Sequence, residues 1–223
     1  MAVESHELKW NKIVQEDYLR FSKGEVSFKM IKVPGFDYFI GETPVTQELW
    51  EEVTCGGNPS RFKGNSKRPV ETVSLQLVKS FITELNKTAN AVFRLPKADE
   101  WLKAAKGGLK SMGYIYSGSN VLEDVAWYND NSDKQTHPVK EKKPNEIGLY
   151  DMSGNVQEWS VSKFVGPNGR ITIGPNNESC VCEEMVLMGG SWANGKKKCE
   201  LWNSSNHLPA SYEGPHVGFR LAI

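Results

Sequence analysis

The strongest constraint on the fold comes from the chain beyond Gly108, where Gly, Asn, Ser and Pro interrupt short apolar segments. Such punctuation predicts loops and short strands in place of helices. Met185–Met188 and Val217–Ala222 are the strands that this part of the sequence predicts most clearly. Because helices precede this irregular part and do not alternate with strands, the sequence predicts an α+β fold and not a βαβ fold.

The first half of the chain carries regular hydrophobic patterns. Val26–Val33 alternates apolar and polar residues, which predicts a strand with one buried face, and Phe36–Ile40 is expected to pair with it. Three helices are predicted: Gln47–Val53 after the N-cap Thr46, Leu75–Lys87 after the N-cap Ser74, and one from about Asp99 to a stop at Gly107-Gly108. Without an internal repeat or a linker, residues 1–223 are expected to form a single domain.

Composition and charge exclude several classes of protein. The 27 basic residues balance 27 acidic ones, so the chain has no net charge with which to follow a nucleic-acid backbone. No apolar stretch approaches the roughly 20 residues that a membrane-spanning helix needs. The opening MAVESHELKW has no apolar run, so neither a signal peptide nor an anchor is expected there. The four cysteines fit no zinc pattern and are expected to be free or buried thiols.

A series of short motifs in a fixed order resembles the formylglycine-generating-enzyme, or sulfatase-modifying-factor, family. The longest runs from Gly148 through Gly154-Asn155-Val156-Gln157-Glu158 to Trp159. The others are Gly41–Thr46 with Trp50, Arg68-Pro69-Val70, Arg94-Leu95-Pro96 with Glu100-Trp101, Val125–Tyr128, Thr136–Val139, Gly189-Gly190-Ser191-Trp192 and Gly218-Phe219-Arg220. The resemblance implies a C-type-lectin-like fold with few regular elements, long loops, chain ends near one another and one loop surface free to vary.

The same resemblance argues against catalysis. Enzymes of the family that make formylglycine use two cysteines, three and eight residues after the serine of the Gly-Gly-Ser motif, which are thought to bind copper. Here that serine is Ser191; Cys199 keeps the later position, but Asn194 occupies the earlier one. One thiolate cannot make the two-sulfur site, so we expect a binding protein without a cofactor. The alternative is a copper-dependent formylglycine-generating oxidase or another enzyme of the family.

Between the closing motifs lies a segment with no hydrophobic period, residues 192–217, which resembles the variable region of proteins diversified by retroelements. That resemblance implies a non-enzymatic receptor that binds a ligand, a protein before a glycan, with aromatic and Asn or Ser side chains supplying adaptable contacts. The expected contact residues are Asn194, Lys197, Trp202, Asn203, Ser205, His207, Leu208, Ser211, Tyr212, Glu213 and His216. We expect them to lie on one exposed surface. The flanking segments Met185–Met188 and Val217–Ala222 are expected to pair as strands and to hold both ends of this segment.

Two further expectations follow from the family resemblance. Asn155 and Glu158, with the backbone carbonyl of Val156, resemble a structural calcium site of the family, and hard oxygen ligands on a tight loop suit Ca²⁺. A hydrogen-bonded turn without metal is the alternative. The resemblance also implies display at the cell surface or outside the cell, through a lipoprotein leader that this sequence does not contain, with a cytoplasmic location as the alternative.

Overall fold

The computed structural model describes residues 9–163, 184–203 and 206–223. The first of its two sheets is antiparallel and follows chain order: β1 (Asn11–Val14), β2 (Tyr18–Lys23), β3 (Val26–Lys32) and β4 (Phe39–Gly41). The second has the order β7-β6-β5-β8, from β5 (Gln157–Lys163), β6 (Glu184–Met188), β7 (Asn206–Pro209) and β8 (Val217–Phe219). The helices are α1 (Gln47–Thr54), α2 (Leu75–Thr88), α3 (Ala98–Ala105), α4 (Leu122–Val125) and α5 (Lys196–Cys199), and 3-10 turns lie at Gly108–Lys110 and Leu201–Asn203.

The predicted α+β class is confirmed, and so are the three predicted helices. Thr46 caps α1 by accepting a hydrogen bond from the amide of Leu49 at 3.4 Å. Ser74 caps α2, whose buried residues recur at helical spacing and face the core. The strand β3 matches its prediction within a residue, whereas β1 and β2 were not predicted.

One expectation about strand pairing needs correction. The segments at 185–188 and 217–222 were expected to pair as strands and so to hold both ends of the segment between them. Both are strands, but each pairs with β5: β6 runs antiparallel to it and β8 runs parallel to it. The central strand β5 therefore separates them. It begins within the longest family motif and places Glu158 and Trp159 in the middle of the sheet.

The C-terminal residues close the fold against the first sheet. Phe39 and Ile223 exchange two backbone hydrogen bonds, of 3.1 and 3.0 Å, and Ile40 bridges to Ala222. In the first sheet, β4 lies at the edge opposite to β1, with β2 and β3 between them. The C-terminal residues therefore contact β4 and not the first strand, and residues 1–8 lie outside the described part, so the expectation that the chain ends lie near one another stays a prediction.

A buried ion pair joins several of the loops to the second sheet. The guanidinium of Arg220 donates to both carboxylate oxygens of Glu158, at 2.9 and 3.0 Å, and neither side chain is accessible to solvent. Arg220 also donates to the backbone carbonyls of Gly41 and Tyr150, each at 2.7 Å. Trp101 donates its indole N–H to Glu158 at 2.6 Å. The pair thus ties α3, β4, β5 and the loop at residue 150 together.

Candidate functional site

The candidate site begins at the tight turn after Gly190. Ser191 is fully buried, and Asn194 accepts hydrogen bonds through Oδ1 from the Ser191 amide at 3.0 Å and from its hydroxyl at 2.8 Å. The backbone carbonyl of Asn194 accepts from the amide of Asn129 at 3.1 Å. Asn194 was expected among the contact residues, but its side chain holds this turn.

The thiol expected at the copper position is packed inside the protein. Cys199 is 1% exposed, and burial raises its pKa to about 12, so the thiol stays protonated at neutral pH. A Cβ atom added at Gly190 would lie only 2.5 Å from its sulfur, so the glycine makes room for the thiol. Among the described residues no group of three or more His, Cys, Asp or Glu side chains comes together to hold a metal. These residues do not fit a copper centre.

Two of the three residues expected to hold calcium, Asn155 and Glu158, are used in other contacts. Both oxygens of Glu158 are paired with Arg220, and Asn155 accepts from the amide of His137 at 3.0 Å while donating to its carbonyl at 3.0 Å. Asn155 also donates to Asp151 at 3.2 Å. Calcium takes six to eight oxygen ligands, waters included, and the side-chain oxygens of these two residues already have partners. The contacts favour the alternative of a hydrogen-bonded turn, and the calcium site stays a prediction.

The carboxyl group of Asp151, inside this turn, makes the stability of the fold sensitive to pH. Burial raises its pKa from 3.8 to about 6, so between those values the folded protein holds a proton that the unfolded chain releases. Its contribution to stability therefore falls as pH rises through this window.

Asp151→Asn cannot titrate. We expect its unfolding free energy, relative to the parent, to rise by about 2 kcal/mol between about pH 4 and pH 7, measured by urea denaturation; a constant difference would contradict the assignment.

The expected contact residues differ in exposure. Lys197, Trp202, His207, Ser211 and Glu213 are exposed. Asn194, Asn203, Leu208, Tyr212 and His216 are partly buried. Ser205 lies outside the described residues. The predicted surface therefore contains both solvent-facing side chains and side chains that also support the fold.

Some of these residues contact each other or share a partner. Tyr212 and His216 lie with ring centroids 5.7 Å apart, and Tyr212 Oη lies 3.4 Å from His216 Nε2. Burial lowers the pKa of His216, so its ring is neutral at physiological pH. Trp202 and Asn203 both donate to the carboxylate of Glu200, at 3.0 and 2.8 Å, which orients the indole ring.

Trp202 is the large apolar side chain that this segment presents to solvent, with 61% of its surface exposed. Together with Leu201 it lines two adjacent cavities. One, of about 280 Å³, is formed with Tyr114, Tyr116 and Glu146; the other, of about 320 Å³, is formed with side chains of α3 and β6. Sequence reasoning did not find Glu146 or the two tyrosines, because no motif or spacing connects that loop to residue 202.

The chain belongs to the family whose model is described as the sulfatase-modifying factor enzyme 1-like domain, which matches residues 15–223. Among solved structures, Treponema denticola variable protein 1 is similar at 30% identity and a TM-score of 0.73, over 91% of this chain and 97% of that one. The resemblance to the family and to a variable protein is confirmed, and so is the lectin-like fold.

Two curated relatives extend the comparison. The Chaperone protein LppX of Paenibacillus barcinonensis is 31% identical over 94% of this chain and 87% of its own length. The Inactive C-alpha-formylglycine-generating enzyme 2 of Bos taurus is 30% identical over 80% of this chain, which spans 57% of the bovine protein. Within the described residues, no helix has the length and apolar character to cross a bilayer.

Proposed function

We propose that this protein binds a protein ligand through residues 192–217 and does not catalyse a reaction. The observation that carries the proposal is the replacement of the first catalytic cysteine by Asn194, whose side chain holds the turn at Ser191. The remaining Cys199 is a buried, protonated thiol. The scaffold that surrounds a family active site is thus retained without the pair of thiolates that bind copper.

The adjoining surface has the features of a contact region. Trp202 is exposed and is oriented by its hydrogen bond to Glu200, so it can bury a large apolar area at small entropic cost. A second aromatic residue of the segment, Tyr212, is partly buried, packs against the core and has its hydroxyl 3.4 Å from Nε2 of His216. Aromatic anchors of this kind dominate protein interfaces, which favours a protein ligand over a glycan.

The proposal includes diversification of residues 192–217 by a retroelement, and display at the cell surface where ligands are met. Similarity to the Treponema denticola variable protein supports it. The test is the DNA beside the gene, where we expect a near-repeat of the 3′ coding end that differs at adenines, next to a reverse transcriptase. If the gene has no such repeat, diversification is contradicted, and the protein binds its ligand through a surface of fixed sequence.

If the surface is fixed, a second candidate function is that of a chaperone, which the similarity to LppX favours. That relative is named a chaperone, and its similarity extends over nearly the whole of both chains. In this case the protein would bind one partner protein during folding or delivery. Purification of the endogenous protein separates the candidates: the chaperone candidate predicts the same partner in every strain, whereas diversification predicts that the partner changes with the sequence of residues 192–217.

The absence of catalysis is directly testable. We expect the purified protein, supplied with Cu(I) and oxygen, to convert none of a sulfatase-type cysteine peptide to formylglycine, as followed by mass spectrometry. A family enzyme with both cysteines, in the same assay, is the positive control. We also expect Cys199 to resist alkylation in the folded protein, while the exposed Cys55 reacts. Turnover of the peptide above the rate without protein would overturn the proposal.

A further inference from the structure

Lysine side chains are concentrated where α4 meets α5. Lys196, Lys197 and Lys198 form most of α5, and all three are exposed. Lys142 and Lys143 come from a different loop, and both donate hydrogen bonds to residues of α4. Because the chain as a whole carries no net charge, an excess of positive charge here is a local feature of the surface. We call these five residues the lysine patch.

Two acidic residues of α4 bring the two groups of lysines together. Nζ of Lys196 lies 3.0 Å from Oε1 of Glu123, and Nζ of Lys142 donates to the backbone carbonyl of Glu123 at 2.8 Å. Nζ of Lys143 lies 3.2 Å from Oδ2 of Asp124. These contacts hold one lysine of α5 beside two lysines of a separate loop, so the patch combines residues from distant parts of the chain.

Two lysines of the patch carry charge that the described residues do not neutralise. Lys197 and Lys198 are exposed, and neither forms an ion pair with any described residue. Two acidic residues adjoin the patch in sequence, but each has another partner. The carboxylate of Glu141 lies 3.7 Å from a histidine ring nitrogen, and that of Glu200 accepts the indole N–H of Trp202. The two ammonium groups are therefore available to carboxylates of a partner.

Aromatic rings restrict two of the other lysines. Nζ of Lys142 lies 4.1 Å from the centroid of the Trp127 ring, and Trp127 stacks on His137 with centroids 3.8 Å apart. Nζ of Lys196 lies 5.7 Å from the centroid of the Tyr128 ring. An ammonium group within about 6 Å of a ring face is attracted to it. Because these contacts order the side chains before a partner binds, they reduce the entropy lost when a carboxylate pairs with them.

We propose that the lysine patch pairs with carboxylates in an acidic region of the protein ligand. The inference rests on the proposed function and specifies the charge of its partner. A continuous polyanion would be repelled by Glu123 and Asp124, which lie among the lysines. A protein surface can place its carboxylates opposite the lysines alone, and complementary charges of this kind give specificity. The arrangement therefore suits an acidic protein better than a sulfated glycan.

The patch extends beyond the segment at 192–217. Lys142 and Lys143 lie outside that segment, so their charge stays on the surface when the segment varies. Opposite charges accelerate the association of two proteins, and salt screens exposed charges over about 8 Å at physiological ionic strength. The patch therefore attracts acidic partners in general, whereas the varied side chains select among them, and binding is expected to weaken as salt is added.

The experiment is a titration of the ¹⁵N-labelled protein with an acidic peptide of four Glu-Ser repeats, blocked at both ends. The amide signals of the patch and the indole signal of Trp127 are followed by NMR, and a peptide of four Gln-Ser repeats is the matched uncharged control. At about 20 mM salt we expect saturable shifts with a dissociation constant of about 1 mM for the acidic peptide. At about 200 mM salt we expect affinity to fall by about tenfold, because screening weakens exposed charges.

Two double variants that remove the same charge locate the binding site. Lys142→Met with Lys143→Met removes two lysines of the patch. Lys79→Met with Lys110→Met removes two exposed lysines elsewhere, on α2 and in the turn at 108–110. We expect the first pair of substitutions to weaken binding of the acidic peptide by about fivefold or more, and the second to leave the affinity within about twofold.

If the variant at 142 and 143 does not fold, Lys197→Ser with Lys198→Ser gives the same test through exposed side chains. Three results would overturn the proposal: no saturable shift with the acidic peptide, equal shifts with the uncharged peptide, or equal losses of affinity in the patch and control variants. Tighter binding of a heparin hexasaccharide than of the acidic peptide would assign the patch to a sulfated glycan and contradict an acidic protein partner. Failure here is separable from failure of the proposed function, which the peptide-oxidation assay and the endogenous partner decide.

Discussion

Replacing Arg220 with methionine is expected to lower the free energy of unfolding by about 3–5 kcal/mol. The substitution leaves the carboxylate of Glu158 buried without a counter-charge, and it removes the donors to the carbonyls of Gly41 and Tyr150. Desolvating an unpaired charge is far more costly than losing a surface ion pair. Urea denaturation of the variant and the parent measures the difference.

Two variants serve as controls for this effect. Lys87→Met breaks the exposed pair with Glu84, whose atoms lie 2.7 Å apart, and is expected to cost no more than about 1 kcal/mol. The double variant Arg220→Met with Glu158→Gln removes the charge that the single variant leaves unpaired, so it is expected to regain part of the lost stability. Equal costs for Arg220→Met and Lys87→Met would contradict the role assigned to the buried pair.

The second large effect is expected at Gly154, in the longest family motif. Its φ is +85°, and a Cβ atom there would lie 2.3 Å from the backbone carbonyl oxygen of Trp127. That oxygen already accepts the amide of Asn155 at 2.7 Å, so it cannot move away cheaply. Gly154→Ala combines about 1–2 kcal/mol of left-handed backbone strain with about 1–3 kcal/mol of overpacking.

Gly148 provides the matched control within the same motif. Its φ is +84°, but a Cβ atom there would have no neighbouring atom within 4 Å. Gly148→Ala is therefore expected to cost only the backbone strain, about 1–2 kcal/mol. Thermal or urea unfolding of the two variants separates strain from close approach. Equal losses at the two glycines would show that the contact with the Trp127 carbonyl adds nothing.

The parts of the fold that the sequence predicted are those with local signals. Thr46 and Ser74 mark helix starts because a side-chain oxygen at that position accepts a free amide hydrogen. The strand β1 was missed because all four of its residues are exposed, so no alternation of buried and exposed positions appears. The order of the second sheet was also missed, since pairing across β5 joins residues that are distant in sequence.

The candidate site likewise combines residues with local sequence signals and residues that meet only through contacts distant in sequence. Trp202 was predicted because it lies between recognisable motifs, whereas Glu146 comes from a separate loop and meets it only in the folded chain. The calcium prediction did not anticipate that the charge neutralising Glu158 comes from Arg220, 62 residues away. A local motif specified the carboxylate, but the partner that determines its role is remote.

A surface that can change while the scaffold stays folded is the central claim. The most direct measurement is urea denaturation of a variant with four exposed residues replaced together: Lys197→Ser, Trp202→Asn, Ser211→Asn and Glu213→Gln. Exposed substitutions usually cost within about 0.5 kcal/mol each, so we expect a cooperative transition and an unfolding free energy within about 2 kcal/mol of the parent. Loss of the cooperative transition, or a loss as large as that of Arg220→Met, would contradict the claim.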